Sequence, residues 1–325
     1  MRFLQNVIAW LATGIMVSLG LICALAAAAT QGGRFSPRLD VAAHFAPFWL
    51  GGGLIVLLFA ALSPRNPARP VLFVLGAVAT LGAGLPVAGE LLRPMTAKAR
   101  ADAPHQLKLI QFNTFIDNAR IEDTAAWIAE QDADIVVMEE AIPAMRDALL
   151  ARHPYYATCG DCSVIIFSRA RPVANDLPRT ASDDPRAPMT RATFKAAGGD
   201  FTVVGLHYVW PTDGGLQQAQ GRRAALVLDQ FPKARLIVAG DFNSTPWSWT
   251  RQIEDARFGL ERRTQALFTW PARPITRHDI PTPFPFLAID HVYAGADWKT
   301  VSVARGQGVG SDHYPVVATL ALTGG

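Results

Sequence analysis

Hydrophobic positions follow two different rhythms along the chain. In the first part they form long unbroken runs, from Asn6 to Ala29, Ala43 to Leu62 and Val71 to Leu92. Each run is long enough to cross a hydrocarbon core of ~30 Å as a helix. Arg2 and the Ala-rich end of the first run also fit a cleaved signal peptide, but its apolar stretch is longer than such peptides carry. Phe45, Phe48 and Trp49 sit near one end of the second run, where an aromatic belt belongs, and the third is rich in Gly and Ala, which permit close helix packing in lipid. The rival, a helical hairpin buried in a soluble protein, does not account for three runs of this length. A membrane domain over residues 1–94 with three transmembrane helices is expected, followed by a polar linker over 95–106.

Beyond the linker the rhythm changes to short β-branched runs separated by helix-like stretches and Pro/Gly turns. Strands are expected over 107–112, 134–138, 163–168, 191–197, 201–206, 236–239, 288–293, 301–304 and 315–320. Helices are expected over 122–131, 143–151 and 215–230. Ser-Thr-Pro-Trp-Ser-Trp, ending at Trp249, reads as a helix start with Trp247 and Trp249 packed rather than stacked on a ligand. This alternation predicts one α/β domain over 107–322.

Composition sharpens the division. The chain of 325 residues is 50% hydrophobic, with a mean hydropathy of +0.18 and a pI near 8.9. Residues 1–103 hold 8 Lys+Arg and 3 Asp+Glu, and the remainder 22 and 24, so the net +3 divides into +5 and −2. The basic surplus therefore flanks the apolar runs and does not form a polyanion-binding surface on the second domain. Orientation has two readings. Counting Lys and Arg in the loops favours a cytoplasmic C-terminal part, whereas a short basic end before the first run inserts as a signal anchor and places that part outside. The second is carried forward, with the second domain on the outer, periplasmic face of a bacterial inner membrane. Cys159 and Cys162 are either a local disulfide, which agrees with that face, or two free thiols. No protein partner can be inferred.

The chemistry lies at the ends of the predicted strands. Leu236 to Ala239 stops at Gly240, which lets the backbone turn, and Asp241 and Asn243 then leave on one side. Alone, this string is as well read as a polar turn. Other runs, however, also end in polar residues: Asn113, Glu139 and Glu140, His207, and the pair Asp312–His313 before the last run, with Asp290 inside another. Buried carboxylates are costly unless paired, hydrogen-bonded or bound to a cation, so their recurrence points to a shared site. The oxygen-rich, cysteine-free set suits Mg²⁺, with Mn²⁺ as the alternative, and leaves histidines for acid–base work.

The order of these motifs resembles the endonuclease/exonuclease/phosphatase superfamily, with a deoxyribonuclease-I-like fold, over about Leu107 to Leu320. Gln111-Phe112-Asn113, Asp134 to Glu140, Leu206-His207, Gly240 to Asn243, Ile289-Asp290-His291 and Ser311 to Pro315 stand in family order. The resemblance implies a four-layer α/β/β/α sandwich in a membrane-anchored, bacterial-type member. It implies Glu140 as principal Mg²⁺ ligand, supported by Asn113 and Asp312. It further implies that Asp290 orients His313 beside the scissile phosphate, that Asp241 aligns or deprotonates the attacking water, and that Asn243 and His207 hold phosphoryl oxygens. Glu139 departs from the usual glutamine and would bind a second cation or face solvent. Tyr155 or Tyr156 would supply the family's tyrosine contact, and Arg222 or Arg223 its helix arginine.

Several residues read as structural. His291 faces the other side of its strand from Asp290, Arg262-Arg263 reads as a solvated pair, and His44, His105, His153 and His278 match no motif. The expected function is Mg²⁺-dependent hydrolysis of a phosphodiester or phosphomonoester by in-line attack of water, attached to a bilayer. The alternatives are an endo- or exonuclease on nucleic acid, a phospholipid or sphingomyelin-type phosphodiesterase, and an inactive membrane scaffold. The −2 charge of the second domain gives extended duplex binding little support.

Overall fold

The two rhythms become two compact units in the computed structural model, which describes residues 2–323 apart from 161, 197 and 274–281. His278 lies outside the described residues. One unit comprises Met1–Arg93 with Pro211–Gly215 and Trp247–Gln252, and the other Pro94–Trp210, Leu216–Pro246 and Ile253–Gly325.

In the first unit α1 (Arg2–Gly32), a short α2 (Pro37–Asp40), α3 (Ala46–Leu62) and α4 (Arg69–Leu91) follow one another. Phe3–Gly32, Pro37–Leu62 and Arg69–Leu91 are long and apolar enough to cross a membrane. Small residues set the packing: a Cβ on Gly53 would lie 2.8 Å from the Ala79 Cβ and 2.9 Å from the Thr80 nitrogen. Gln31 Nε2 donates to the Gly82 carbonyl at 2.6 Å. The large aliphatic side chains, Leu25, Leu58 and Leu85 among them, point outward. An apolar exterior around a small-residue interior is the arrangement lipid stabilises.

The second unit is a sandwich of two sheets. β1 (Gln106–Asn113), β2 (Ile135–Glu139), β3 (Tyr156–Cys159), β4 (Val164–Ser168), β10 (Trp298–Arg305) and β11 (Val316–Leu322) form the first, in the order β10-β11-β1-β2-β4-β3. β5 (Met189–Phe194), β6 (Phe201–His207), β7 (Leu236–Asp241), β8 (Glu261–Arg262) and β9 (Asp290–Ala294) form the second, in the order β5-β6-β7-β9-β8. One core, with Leu109, Val137, Ile166, Val203, Ile237 and Val316, fills the space between the sheets. α5 (Ile121–Glu130) and α6 (Pro143–Arg152) cover the outer face of the first sheet around Phe112, Met138 and Phe167. α7 (Gly214–Leu228) and the end of α8 (Trp249–Phe258) cover the second around Val204, Val238 and Tyr293. Four layers result, as the motif order implied. The inner strands β2, β4, β6, β7 and β9 are buried on both faces, which is why their runs read as continuously apolar.

Register positions the site. β1 and β2 run parallel with Asn113 opposite Glu139, and β6 and β7 run parallel with His207 opposite Asp241. β9 runs antiparallel to β7 and starts with Asp290 opposite Asp241. Five polar residues therefore reach one end of the sandwich from both sheets.

Three elements differ from the sequence reading. β3 and β8 are too short to show an alternation, and Arg262 and Arg263 are buried, not solvated. Arg262 is gripped by Asp255, with Nη2 2.9 Å from Oδ2, and Arg263 Nη2 donates to the carbonyls of Gly295 and Trp298 at 3.0 Å. Residues of the expected linker lie along the sandwich unit, where the Thr96 nitrogen donates to Glu261 Oε1 at 2.8 Å and Ala99 to the Thr300 carbonyl at 2.8 Å. Trp249 opens α8, Trp247 is buried, and Ser248 caps the helix by accepting from the Arg251 nitrogen at 3.2 Å.

Candidate functional site

Gly240 sits within β7, where a Cβ would collide with the carbonyl oxygen of Leu206 on the parallel neighbour. Its role is this close approach, and the turn falls one step later. Asn243 takes φ +46°, and its nitrogen donates to Asp241 Oδ1 at 2.8 Å. Glu140, just past β2, takes φ +54°. Left-handed backbone at non-glycine residues concentrates where structure holds side chains for function.

Asp241 Oδ2 is the centre of the arrangement. Asn113 Nδ2 donates to it at 3.1 Å, His207 Nε2 lies at 3.6 Å, and His313 Nε2 at 3.7 Å. Asn243 Nδ2 stands 3.4 Å from it and donates to the Tyr208 carbonyl at 2.9 Å. Glu140 joins through the same groups: its Oε1 accepts from Asn113 Nδ2 at 3.1 Å and lies 3.7 Å from His207 Nε2. On the other side, His313 Nδ1 donates to Asp290 Oδ2 at 2.9 Å. One atom each of Asp241, Asp290 and His313 falls within 4.8 Å of the others, and all three residues are buried. Asp312 stands beside this cluster, with Oδ2 accepting from Trp270 Nε1 at 3.1 Å.

Burial pushes the Asp241 carboxyl up to about 6, although the His313 charge opposes it. Burial alone would lower His313, but the Asp290 and Asp241 carboxylates outweigh it and raise the imidazolium to about 10. Glu139 is raised well above the ordinary range by burial and by the charges of Asp290 and Asp241. It does not face solvent: it is fully buried and accepts from Gln111 Nε2 at 3.0 Å. Burial and the neighbouring charges favour the neutral carboxyl, which is close in shape to the glutamine usual in the family.

The donor set fits a hard divalent cation. Asp312 Oδ1 is buried and, among the described residues, has no hydrogen-bond partner, and the Glu140 carboxylate remains 28% exposed beside Asn113. Buried carboxylate oxygens left without donors are what an oxygen-seeking cation satisfies.

Some of the cluster had no role assigned from the sequence, although Gln111 and Ser311 stand within the motifs. Gln111 Nε2 bridges the sheets, donating also to Asp290 Oδ1 at 2.8 Å. Thr269 Oγ1 donates to Asp290 Oδ2 at 2.6 Å. Ser311 Oγ donates to the Asn113 carbonyl at 2.7 Å and accepts from the His313 nitrogen at 2.9 Å. Gln217 Nε2, on α7, reaches the Val209 carbonyl at 2.8 Å and the Phe242 carbonyl at 3.2 Å.

Other expectations do not meet here. Tyr155 donates to the Ala133 carbonyl at 2.8 Å and Tyr156 pairs with Ser168, both at the opposite end of the first sheet. Arg222 holds Asp184 through Nε and Nη2 at 2.8 and 2.9 Å, and Arg223 holds the carbonyls of Ser182 and Asp184, so both tie down a loop. His291 bonds Thr264 Oγ1 at 3.0 Å and the Ser244 carbonyl at 2.9 Å, the structural role expected of it. Cys159 and Cys162 form a disulfide.

Residues 110–313, more than half of the chain, match the Endonuclease/Exonuclease/phosphatase family. No curated protein matches the chain. Among solved structures, the endonuclease/exonuclease/phosphatase from Bacteroides vulgatus is similar at 18% identity, covering 67% of this chain and 99% of that one with a TM-score of 0.54. A functionally unknown conserved protein from Enterococcus faecalis V583 is similar at 16%, covering 66% and 100%, TM-score 0.53. Beta toxin from Staphylococcus aureus, a mutant with bound magnesium ions, is similar at 14%, covering 66% and 99%, TM-score 0.51. The chain belongs to the Endonuclease/Exonuclease/phosphatase family and is a metal-dependent hydrolase acting on phosphoester bonds.

Proposed function

We propose that the chain is a membrane-attached, Mg²⁺-dependent phosphoesterase that cleaves a phosphodiester or phosphomonoester by in-line attack of water. The observation that carries this reading is the convergence on Asp241 Oδ2 of Asn113, His207 and His313, drawn from both sheets. Asp241, as carboxylate, aligns the attacking water and accepts its proton. His313, charged and fixed by Asp290, donates through Nε2 to a phosphoryl oxygen, with His207 and Asn243 holding the others. Glu140, Asn113 and Asp312 would hold the cation. When bound, it neutralises charge gathering on the phosphoryl group. The bound magnesium of the structurally similar beta toxin supports the choice of ion.

The three long apolar helices support attachment to a bilayer, and the Cys159–Cys162 disulfide supports an oxidising, outer-face location for the sandwich. The test is a hydrolysis screen of the full chain in detergent, with Mg²⁺ or chelator, against DNA, RNA, phospholipids and inositol phosphates. Mg²⁺-dependent turnover of at least one class is expected. No turnover of any class with Mg²⁺ bound would favour the scaffold.

A further inference from the structure

Among the described residues, a guanidinium beside the site has no anion to serve. Arg273 stacks over the Phe115 ring at 4.0 Å from its centroid. Phe115 and Ile116 belong to the loop that touches the proposed cation ligands, since the Phe115 nitrogen donates to Asn113 Oδ1 at 3.0 Å and the Ile116 nitrogen to Glu140 Oε2 at 3.1 Å. On its other side, the neighbouring Ala272 nitrogen donates to the Asp312 carbonyl at 2.7 Å. Arg273 is thus held between the Glu140 loop and the Asp312 loop.

Its Nε and Nη2 are buried and have no hydrogen-bond partner, and among the described residues no carboxylate pairs with it. These are the two atoms through which Arg222 grips both oxygens of Asp184. An arginine presents that edge to carboxylates and phosphates as a planar fork, and a buried guanidinium without an acceptor is costly. Nothing in the packing around Phe115 explains a charge there, because an apolar side chain would cover the ring as well.

We infer that Arg273 is an anion subsite, and that the substrate carries a second phosphate next to the one that is cleaved. The inference rests on the phosphoesterase reading above. Trp270, bonded to Asp312, lies 6.4 Å from the exposed Trp210 ring and 5.6 Å from Phe286, so an aromatic wall stands beside the site for the organic part that joins the two phosphates. The second phosphate can sit on a nucleotide or on a lipid headgroup, and the experiment separates these sources.

The full chain, with Mg²⁺, is assayed on two matched pairs. One pair is thymidine 5′-(p-nitrophenyl phosphate) with and without a 3′-phosphate, and the other is short-chain phosphatidylinositol with and without a 4-phosphate. In at least one pair the doubly phosphorylated member is expected to have the higher kcat/KM, by on the order of tenfold to a hundredfold, mainly through KM. That pair identifies the source. Arg273→Gln should bring its ratio to about one, Arg273→Lys should restore part of it, and Lys195→Gln, at an exposed cation elsewhere on the unit, should keep it. Melting curves establish that the variants fold, and calorimetric binding of thymidine 3′,5′-bisphosphate against the 5′-monophosphate gives a readout independent of turnover for the nucleotide pair. Hydrolysis of both members of each pair with equal efficiency by the wild type would overturn the inference, as would a preference that survives Arg273→Gln. Hydrolysis of neither member in either pair would instead count against the phosphoesterase reading.

Discussion

The two ends of the sandwich contrast in where their polar side chains bond. At the end where β2 begins, Tyr155 donates to the Ala133 carbonyl, Asp134 Oδ2 accepts from the Lys108 nitrogen at 2.8 Å, and Arg169 Nε donates to the Ala133 carbonyl at 3.2 Å. Each closes off a backbone group at a strand end, which is ordinary structural work. At the end where β2 stops, Asn113, His207, Asp241, Asp290 and His313 bond or face one another instead, and among the described residues the buried Oδ1 of Asp312 has no donor. Side chains that satisfy backbone stabilise a fold. A cluster that leaves carboxylates facing each other is held by the fold at a cost, and a cation with a phosphoryl group removes that cost.

Variants should separate the two ends. The largest effect is expected from His313→Ala, which should lower kcat by ~10² to 10⁴ while the melting temperature stays close to wild type. Asn113→Ala should have a smaller effect: it frees Glu140 and Asp241 from their shared donor, and a 10- to 100-fold weaker Mg²⁺ dependence, of the order seen for groups that orient metal ligands, is expected in a cation titration. The pH profile should show the charge state of the base. Because Asp241 must be ionised, activity should rise as pH increases through about 6, and a rate independent of pH across that range would count against this role.

Two changes should act on stability alone. The folded-state pKa of Glu139 is raised, so its favourable contribution is present below its ordinary value of 4.5 and is lost as pH rises through the folded value. Glu139→Gln removes the ionisation, and its melting temperature should fall less than that of wild type as pH is raised above that point. At the opposite end, Tyr155→Phe should cost about 1 kcal/mol for the lost bond to Ala133 and leave kcat unchanged, measured by denaturant unfolding beside the assay.

The strand ends were legible because both faces of the sheets are buried, so each continuous apolar run stops where a polar residue must begin. That placed Asn113, Glu140, His207, Asp241 and His313. What the pattern hid were the contacts made across great sequence distance. Gln111 and Asp290 lie 179 positions apart and meet only because one strand from each sheet crosses there. Glu139 stayed open between a second cation and solvent because the chain alone does not show that the second sheet closes over it. Arg262 and Arg263 misled for a related reason: Arg262 ends a two-residue strand beside β9 and Arg263 follows it, bonded to the Val292 carbonyl, so both are buried, and no periodicity can announce so short an element. In the N-terminal unit the reading was simpler, since run length alone identified the three helices.

The proposed role of Asp241, handling the attacking water in a cation-dependent site, is decided by comparing full-length wild type and Asp241→Asn on one chromogenic phosphodiester, with saturating Mg²⁺ and then with chelator. Turnover by the wild type is expected only with Mg²⁺, with a loss of ~10² or more in kcat for a variant that melts like the wild type. Turnover by Asp241→Asn at the wild-type rate, or turnover by the wild type that persists in chelator, would contradict it.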